Sequence, residues 1–308
     1  MPAALSAVRQ IVRIPEEDRN SRLHGHPGRP ILSSIEDHRA FYAHLVVKSA
    51  GSSNPRLIAA FAAVERERYV GDGPWSIMVY PAYISTVSDD PRFLYQDIVV
   101  GIDPARTINN GQPSLHARCL EACAPARGES VLHIGAGTGY YTAILAALVG
   151  STGHVVAYEI QNDLADRARV NLRHLPNVSV LAASASEGPL PCADVIYVNA
   201  GATHPLGVWL DALNVGGRLI FPMTTKSSFG VMLLITRRSA DGYAASIVSP
   251  AAFIPCIGAR DDAASEVLDA ALKSRSLLAA KSLHRGSAAD ESACCVGKDW
   301  WFSTLDPR

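Results

Sequence analysis

Gly135, Gly137 and Gly139 follow directly on the apolar run at 131–134, and a second apolar run ends on Glu159 about twenty residues later. Glycines at this spacing let the backbone turn sharply and approach a ligand with no Cβ in the way. A helix beginning at Tyr140 points its first amides into that turn, which favours an anionic or strongly polar group there. A carboxylate at the end of the next strand accepts hydrogen bonds from both hydroxyls of a ribose. Together these residues make a cradle for a nucleotide-like cofactor. The turn is G-x-G-x-G, with Tyr140 and Tyr141 where a dinucleotide fingerprint places its third glycine. That spacing departs from the dinucleotide pattern and helps to separate a site for S-adenosyl-L-methionine (SAM) from one for NAD. The plainer alternative, glycines serving only a tight turn, leaves the acid in register unexplained.

Three further groups deserve weighing. Asn199 ends a later strand, where ligands of open α/β sheets gather, and is a candidate for contact with substrate or cofactor. His204, in the loop NAGATHP, is a candidate base, although a lone loop histidine is more often solvated. His116, Cys119 and Cys123 share a helical face, and buried free thiols on an amphipathic helix explain them more simply than a metal does. The other cysteines form no C-x-x-C pair, so neither a zinc site nor a disulfide framework is expected, and no metal is assigned.

The elements that must position these groups follow from patterning. Residues 1–33, rich in Pro, Gly, Arg and His, read as an extended arm. Residues 34–128 read as a helical and loop cap on the substrate side, with helices starting at Ser34, at Asn54-Pro55 and at Pro113, and a turn-rich, aromatic stretch between Trp75 and Gly111. From Ser130 strands and helices alternate, which predicts a Rossmann-like α/β domain over 129–258, its sheet mostly parallel with helices on both faces. The runs VMLLITRR and YAASIVSPAAFIP, separated by SADG, predict an antiparallel pair at one edge. Residues 259–308 form a C-terminal extension whose Trp300 and Trp301 predict a terminal strand closing a core or a dimer contact.

The 308 residues are 48% apolar, enough for a sizeable core, and 28 basic against 29 acidic side chains leave a net charge of −1. Nothing in that balance favours nucleic acid or an anionic membrane as partner. The first thirty residues lack an apolar stretch of signal or membrane-span length, so a cytoplasmic protein is expected.

Taken in order, AVERERYVG at 63–71, TIN at 107–109, QPSLHARCL at 112–120, VLHIGAGTGYYTAILA at 131–146, Glu159, SASEG at 184–188, DVIYVNAGA at 194–202, VGGRLIFP at 215–222 and FIP at 253–255 give a chain that resembles the protein-L-isoaspartate O-methyltransferase family, class I SAM-dependent enzymes, over residues 36–258. The resemblance implies a seven-stranded sheet in the order 3-2-1-4-5-7-6. It implies that Gly135, Ala136, Gly137, Gly139 and Tyr140 hold the methionine side of SAM, Glu159 the ribose, and Ile160, Ser184, Ser186 and Glu187 the adenine. It also places the acceptor turn at TINNGQPS, making Thr107, Asn109, Asn110, Gln112 and Ser114 the acceptor-side candidates. Three departures stand out. His133 replaces the acid that helps hold the amino group of SAM, Ser184 replaces an adenine-binding Asp, and the acceptor turn carries Asn109 for Ser with about two added residues.

A turn of amides and hydroxyls with no clear base suits an acceptor that is already ionised, such as a carboxylate. The activity that the resemblance implies, and that such a turn suits, is carboxyl O-methylation of the isoaspartyl type. A methyltransferase for a dedicated peptide or small molecule and a non-catalytic SAM-binding protein are the alternatives. A peptide, protein or small-molecule acceptor is the expected partner, together with a second copy of the chain in a homodimer.

Overall fold

A computed structural model describes residues 34–307, so the expected N-terminal arm lies outside the described residues. Helix α1 (Ile35–Ser49) carries Glu36 and Asp37 in its first turn and Lys48 in its last, matching the helix dipole. Helix α2 (Pro55–Ala63) starts on Asn54, whose side chain accepts the Arg56 N–H. The chain leaves the helix at Val64 and re-enters a short one as α3 (Glu67–Val70), which ends at Gly71. The aromatic stretch that follows is a small antiparallel sheet. Its strands β1 (Ser76–Val79), β2 (Ala82–Ser85), β3 (Val100–Asp103) and β4 (Ile108–Asn109) lie in the order β2-β1-β3-β4. Helix α4 (Pro113–Cys123) follows, with proline in its first turn.

The main sheet begins at β5 (Ser130–Ile134) and continues through α5 (Tyr140–Val149), β6 (His154–Glu159), α6 (Asn162–Leu172), β7 (Val178–Ala182), β8 (Ala193–Val198), α7 (Gly207–Asp211) and β9 (Leu213–Thr224). These five strands are parallel, in the order β7-β6-β5-β8-β9. Strands β10 (Phe229–Arg237) and β11 (Tyr243–Ala252) then add antiparallel neighbours in sequence. The implied 5-7-6 order is thus corrected to a meander. The tight connection after β9, closed by Thr225 N–H to Phe229 O at 2.9 Å, joins adjacent antiparallel strands and leaves no crossover to admit another between them.

Nor is this pair an edge, and the sheet is not of seven strands. After α8 (Asp262–Lys273), strands β12 (Ser282–Arg285), β13 (Ala293–Val296) and β14 (Trp300–Ser303) extend it to ten in the order β13-β14-β12-β11. Only the first five strands are parallel, so the sheet is mixed.

Period-two alternation sorts each strand's side chains to the two faces. On β8, Ile196 and Val198 join the core under α7 and α8, while Val195 and Tyr197 join the core under α1, α2, α4 and α5. On β9, Phe221 and Met223 face the first core and Ile220 the second. Trp300 and Phe302 complete the first core, the terminal strand filling this chain's own interior. No helix among the described residues is long and apolar enough to cross a membrane.

Candidate functional site

The glycine turn lies at the C-terminal end of β5, whose neighbours β6 and β8 lead away on opposite sides, the crevice position of open α/β sheets. The amides of Gly135 and Ala136 both donate to Tyr158 O, at 2.9 and 3.0 Å, which folds the turn back over the end of β6. All three glycines have positive φ, but they are glycine for different reasons. A Cβ on Gly139 would sit 2.7 Å from Leu172 Cδ1, so this residue lets α5 pack on α6. A Cβ on Gly137 would meet nothing within 4 Å and would project into open cavity.

Glu159 is buried, 6% exposed. Its Oε2 accepts the Gly137 N–H at 2.7 Å and its Oε1 the Gln161 N–H at 3.0 Å. Burial raises its pKa against the pull of these amides and that of Ile160, and the carboxylate keeps lone-pair capacity for a further donor.

Around it is a compartment of about 240 Å³ lined by Gly135, Gly137, Glu159, Ile160, Ser184 and Ser186, among others. The Ser184 hydroxyl lies 2.7 Å from that of Ser186, and Ser186 Oγ donates to Ile257 O. Ile160 is 41% exposed at the rim, an unusual place for a residue serving only as core. The segment at 254–257 lines it as well, and only the FIP motif hinted at it.

A larger cavity, about 1130 Å³, opens on the other side of the turn. Thr107, Asn109, Asn110 and Gln112 line it, with Ala136, Tyr140, His116, Tyr141, Phe229 and the β1–β2 hairpin residues Met78 and Tyr80. No described lining residue is Asp, Glu, Lys or Arg. The two compartments share Asn109, Gly135, Gly137 and Asn199, so they meet at the glycine turn. A third cavity, about 670 Å³, lined by Val64, Arg68, His154 and Asn177, contains none of the expected residues.

The acceptor-side turn is held from several sides. Buried Arg66 donates from Nη1 to Leu94 O and Gln96 O, from Nη2 to Ile98 O, and from Nε and Nη2 to Asn110 Oδ1. Its guanidinium faces the Tyr42 and Tyr140 rings at 5.7 and 5.9 Å, which offsets some of the cost of burying the charge. Arg106 bridges Asp103 and Asp163, tying the turn to the start of α6. Asn109 Oδ1 accepts the Gly111 N–H, and Gln112 Nε2 reaches Asp97.

Several expected residues stand elsewhere. Ser114 lines neither compartment, and its backbone N–H goes to Asp97. Glu187 is exposed and outside the lining, because the 184–188 turn points it to solvent. Gly139 is a packing residue, and Tyr140, whose hydroxyl meets that of Tyr42 at 3.0 Å, faces the larger cavity rather than the smaller. His204 lines neither compartment and is turned instead to Thr203 Oγ1 and the Trp300 ring. His133 lies behind Asn199, fully buried, and touches neither compartment.

His116 emerges instead at the wall of the large cavity. It stacks 3.6 Å from Tyr141 and bonds Tyr197 through Nδ1. Burial, with nearby His133 and Arg66, lowers its pKa to about 3. It is a neutral ring and a weak base at neutral pH. On the same helix, burial pushes the Cys119 thiol up to about 12, and Cys119 and Cys123 are both buried in the core.

Residues 44–261 match the model of a family described as protein-L-isoaspartate(D-aspartate) O-methyltransferase. The chain is 34% identical over 186 residues to the protein-L-isoaspartate O-methyltransferase of Ignicoccus hospitalis, covering 59% of this chain and 87% of the relative. It is 32% identical to protein-L-isoaspartate O-methyltransferase 1 of Rhodopseudomonas palustris, covering 69% and 80%. Among solved structures it is similar to a protein-L-isoaspartate O-methyltransferase at TM-score 0.60 and 26% identity, covering 76% of this chain and 69% of that one. It shares the fold of a Plasmodium falciparum protein solved with S-adenosyl-L-homocysteine, at TM-score 0.58 and 17% identity over 71% of this chain and 98% of that one.

Proposed function

Because the chain belongs to the protein-L-isoaspartate O-methyltransferase family of SAM-dependent methyltransferases, we propose that it methylates the side-chain carboxylate of isoaspartyl residues in peptides or proteins, with the cofactor in the smaller compartment and the acceptor in the larger. The observation that carries this assignment is the junction. The nucleoside-sized compartment around Glu159 and the larger cavity meet at the glycine turn, where Asn109, Gly135, Gly137 and Asn199 line both, with Ile108, Ile254 and Pro255 beside them.

The residues present fit the cofactor. Gly137 leaves space that a Cβ would fill, Glu159 offers a buried carboxylate to ribose hydroxyls, and Ile160 offers an apolar face to the adenine. SAM supplies an electrophilic methyl on a sulfonium when bound. The protein then has to orient the acceptor and keep water out. Thr107, Asn109, Asn110 and Gln112 provide amide and hydroxyl donors for an anionic acceptor. The one titratable ring in the larger cavity besides the tyrosines is His116, too weak a base to strip a hydroxyl or an ammonium acceptor. A carboxylate needs no such base. The β1–β2 hairpin and Phe229 add apolar wall for the residues flanking it.

The test is transfer from methyl-labelled SAM to an isoaspartyl peptide beside its aspartyl twin, scored as base-labile methyl released as methanol. Label on the isoaspartyl peptide alone is the expected result. Equal label on both, or none while S-adenosyl-L-homocysteine still binds, would refute the isoaspartyl assignment and leave a methyltransferase of another acid.

A further inference from the structure

Asn199 presents the junction with an acceptor that the protein itself leaves unused. Its Oδ1 is buried without a hydrogen-bond partner, while its Nδ2 lies 2.8 Å from His133 Nε2. A buried amide oxygen left unpaired is costly, so its retention points to a donor that comes from outside the chain. The residue lines both compartments, and a Cβ placed on Gly135 would be only 3.5 Å from its carbonyl carbon, which sets Asn199 against the glycine turn.

His133 sets the orientation of this amide. The ring is wholly buried, and burial lowers its pKa to about 3, so it is neutral and carries a single N–H. Its Nδ1 lies 2.8 Å from Thr142 Oγ1 on α5. With the proton on Nδ1 and donated to Thr142, Nε2 accepts from the Asn199 amide, which keeps Oδ1 off the ring and free for another donor.

We propose that Asn199 Oδ1, aligned by His133 and Thr142, accepts a hydrogen bond from the α-ammonium group of SAM and so replaces the acid expected at position 133. This assignment rests on the reading of the smaller compartment as the cofactor site. His133 is a positioning residue here, because it reaches the ligand only through Asn199. The exchange puts a neutral acceptor where a charge was expected and needs no carboxylate buried at the end of β5.

The experiment is calorimetry of the full chain with three ligands: S-adenosyl-L-homocysteine, its analogue lacking the amino group, and 5′-methylthioadenosine, which lacks the whole amino-acid moiety. The wild-type protein is expected to prefer the homocysteine over the des-amino analogue by about tenfold or more, the range of one hydrogen bond to a charged group. In Asn199→Ala this ratio is expected to fall to about two or less, while 5′-methylthioadenosine keeps its wild-type affinity. His133→Phe should lower the ratio likewise without changing binding of the nucleoside, which a purely structural role would not do. Should the alanine variant fail to fold, Asn199→Asp decides, since it keeps an acceptor in place and must preserve or enlarge the ratio. An undiminished ratio in Asn199→Ala, or a ratio near one in Asn199→Asp, overturns the proposal. Absence of binding by all three ligands to the wild-type protein refutes the cofactor site itself.

Discussion

At the scale of single residues, Glu159 and the two buried histidines make the sharpest predictions. Glu159→Ala removes the acceptor for the ribose hydroxyls, and S-adenosyl-L-homocysteine affinity should fall by roughly 10- to 100-fold in a calorimetric titration. Unchanged affinity would place the nucleoside elsewhere. Asn109→Ala should leave that affinity within a few fold and lower kcat, since its side chain is assigned to the acceptor. His116 and His133 are both held near pKa 3 against an ordinary 6.5, chiefly by burial. Because the folded values are depressed, their contribution to stability is complete above pH 6.5 and is lost as pH falls toward 3. From pH 6.5 to 5.0 each should cost about 2 kcal/mol of unfolding free energy, at about 1.4 kcal/mol per pH unit. His133→Gln should roughly halve that slope in urea titrations. An unaltered slope would show that His133 is not buried in neutral form.

At the scale of elements, the glycine turn separates binding from packing. Gly139→Val forces a β-branched residue to φ +98° against Leu172 and should cost roughly 3 kcal/mol or more of stability. Gly137→Val at φ +55° places a Cβ that meets no protein atom within 4 Å, so its stability loss should be smaller, about 1–2 kcal/mol, while cofactor binding is abolished. Urea unfolding and calorimetry on both variants check the contrast, and retained binding in Gly137→Val would contradict the site. The sequence could reveal the turn because strand, glycines, helix and acid are local. It could not distinguish Gly137 from Gly139, since that distinction depends on Leu172, a tertiary neighbour. The β1–β2 hairpin was hidden for the same reason: its residues are half exposed and wall a cavity, so they lack the alternation that marks a strand. Ser114 and Glu187 were misplaced because a motif fixes a turn without fixing which side chains look inward. Arg66 carried no signal of burial, as its partners are carbonyls from 94–98 and one amide.

At the scale of the molecule, the extension is part of the architecture. The family match ends at residue 261, yet α8 and β12 to β14 continue the same sheet and core. Alternation in the sequence made the parallel half legible, while the extension's place depended on β12 finding the edge of β11, which no local pattern encodes. Phe302, fully buried in β14, ties the extension to that core. Phe302→Ala should therefore cost roughly 3–5 kcal/mol and lower a single cooperative transition. Two separate transitions would show the extension to be an independent unit. Two ligands meeting across one glycine turn are what the proposed reaction requires. A crystal structure with S-adenosyl-L-homocysteine and an isoaspartyl peptide tests it most directly. The account predicts the ribose on Glu159, the sulfur at the junction of Asn109, Gly137 and Asn199, and the isoaspartyl carboxylate in the larger cavity. A nucleoside in the larger cavity, or a peptide bound away from Asn109, would contradict it.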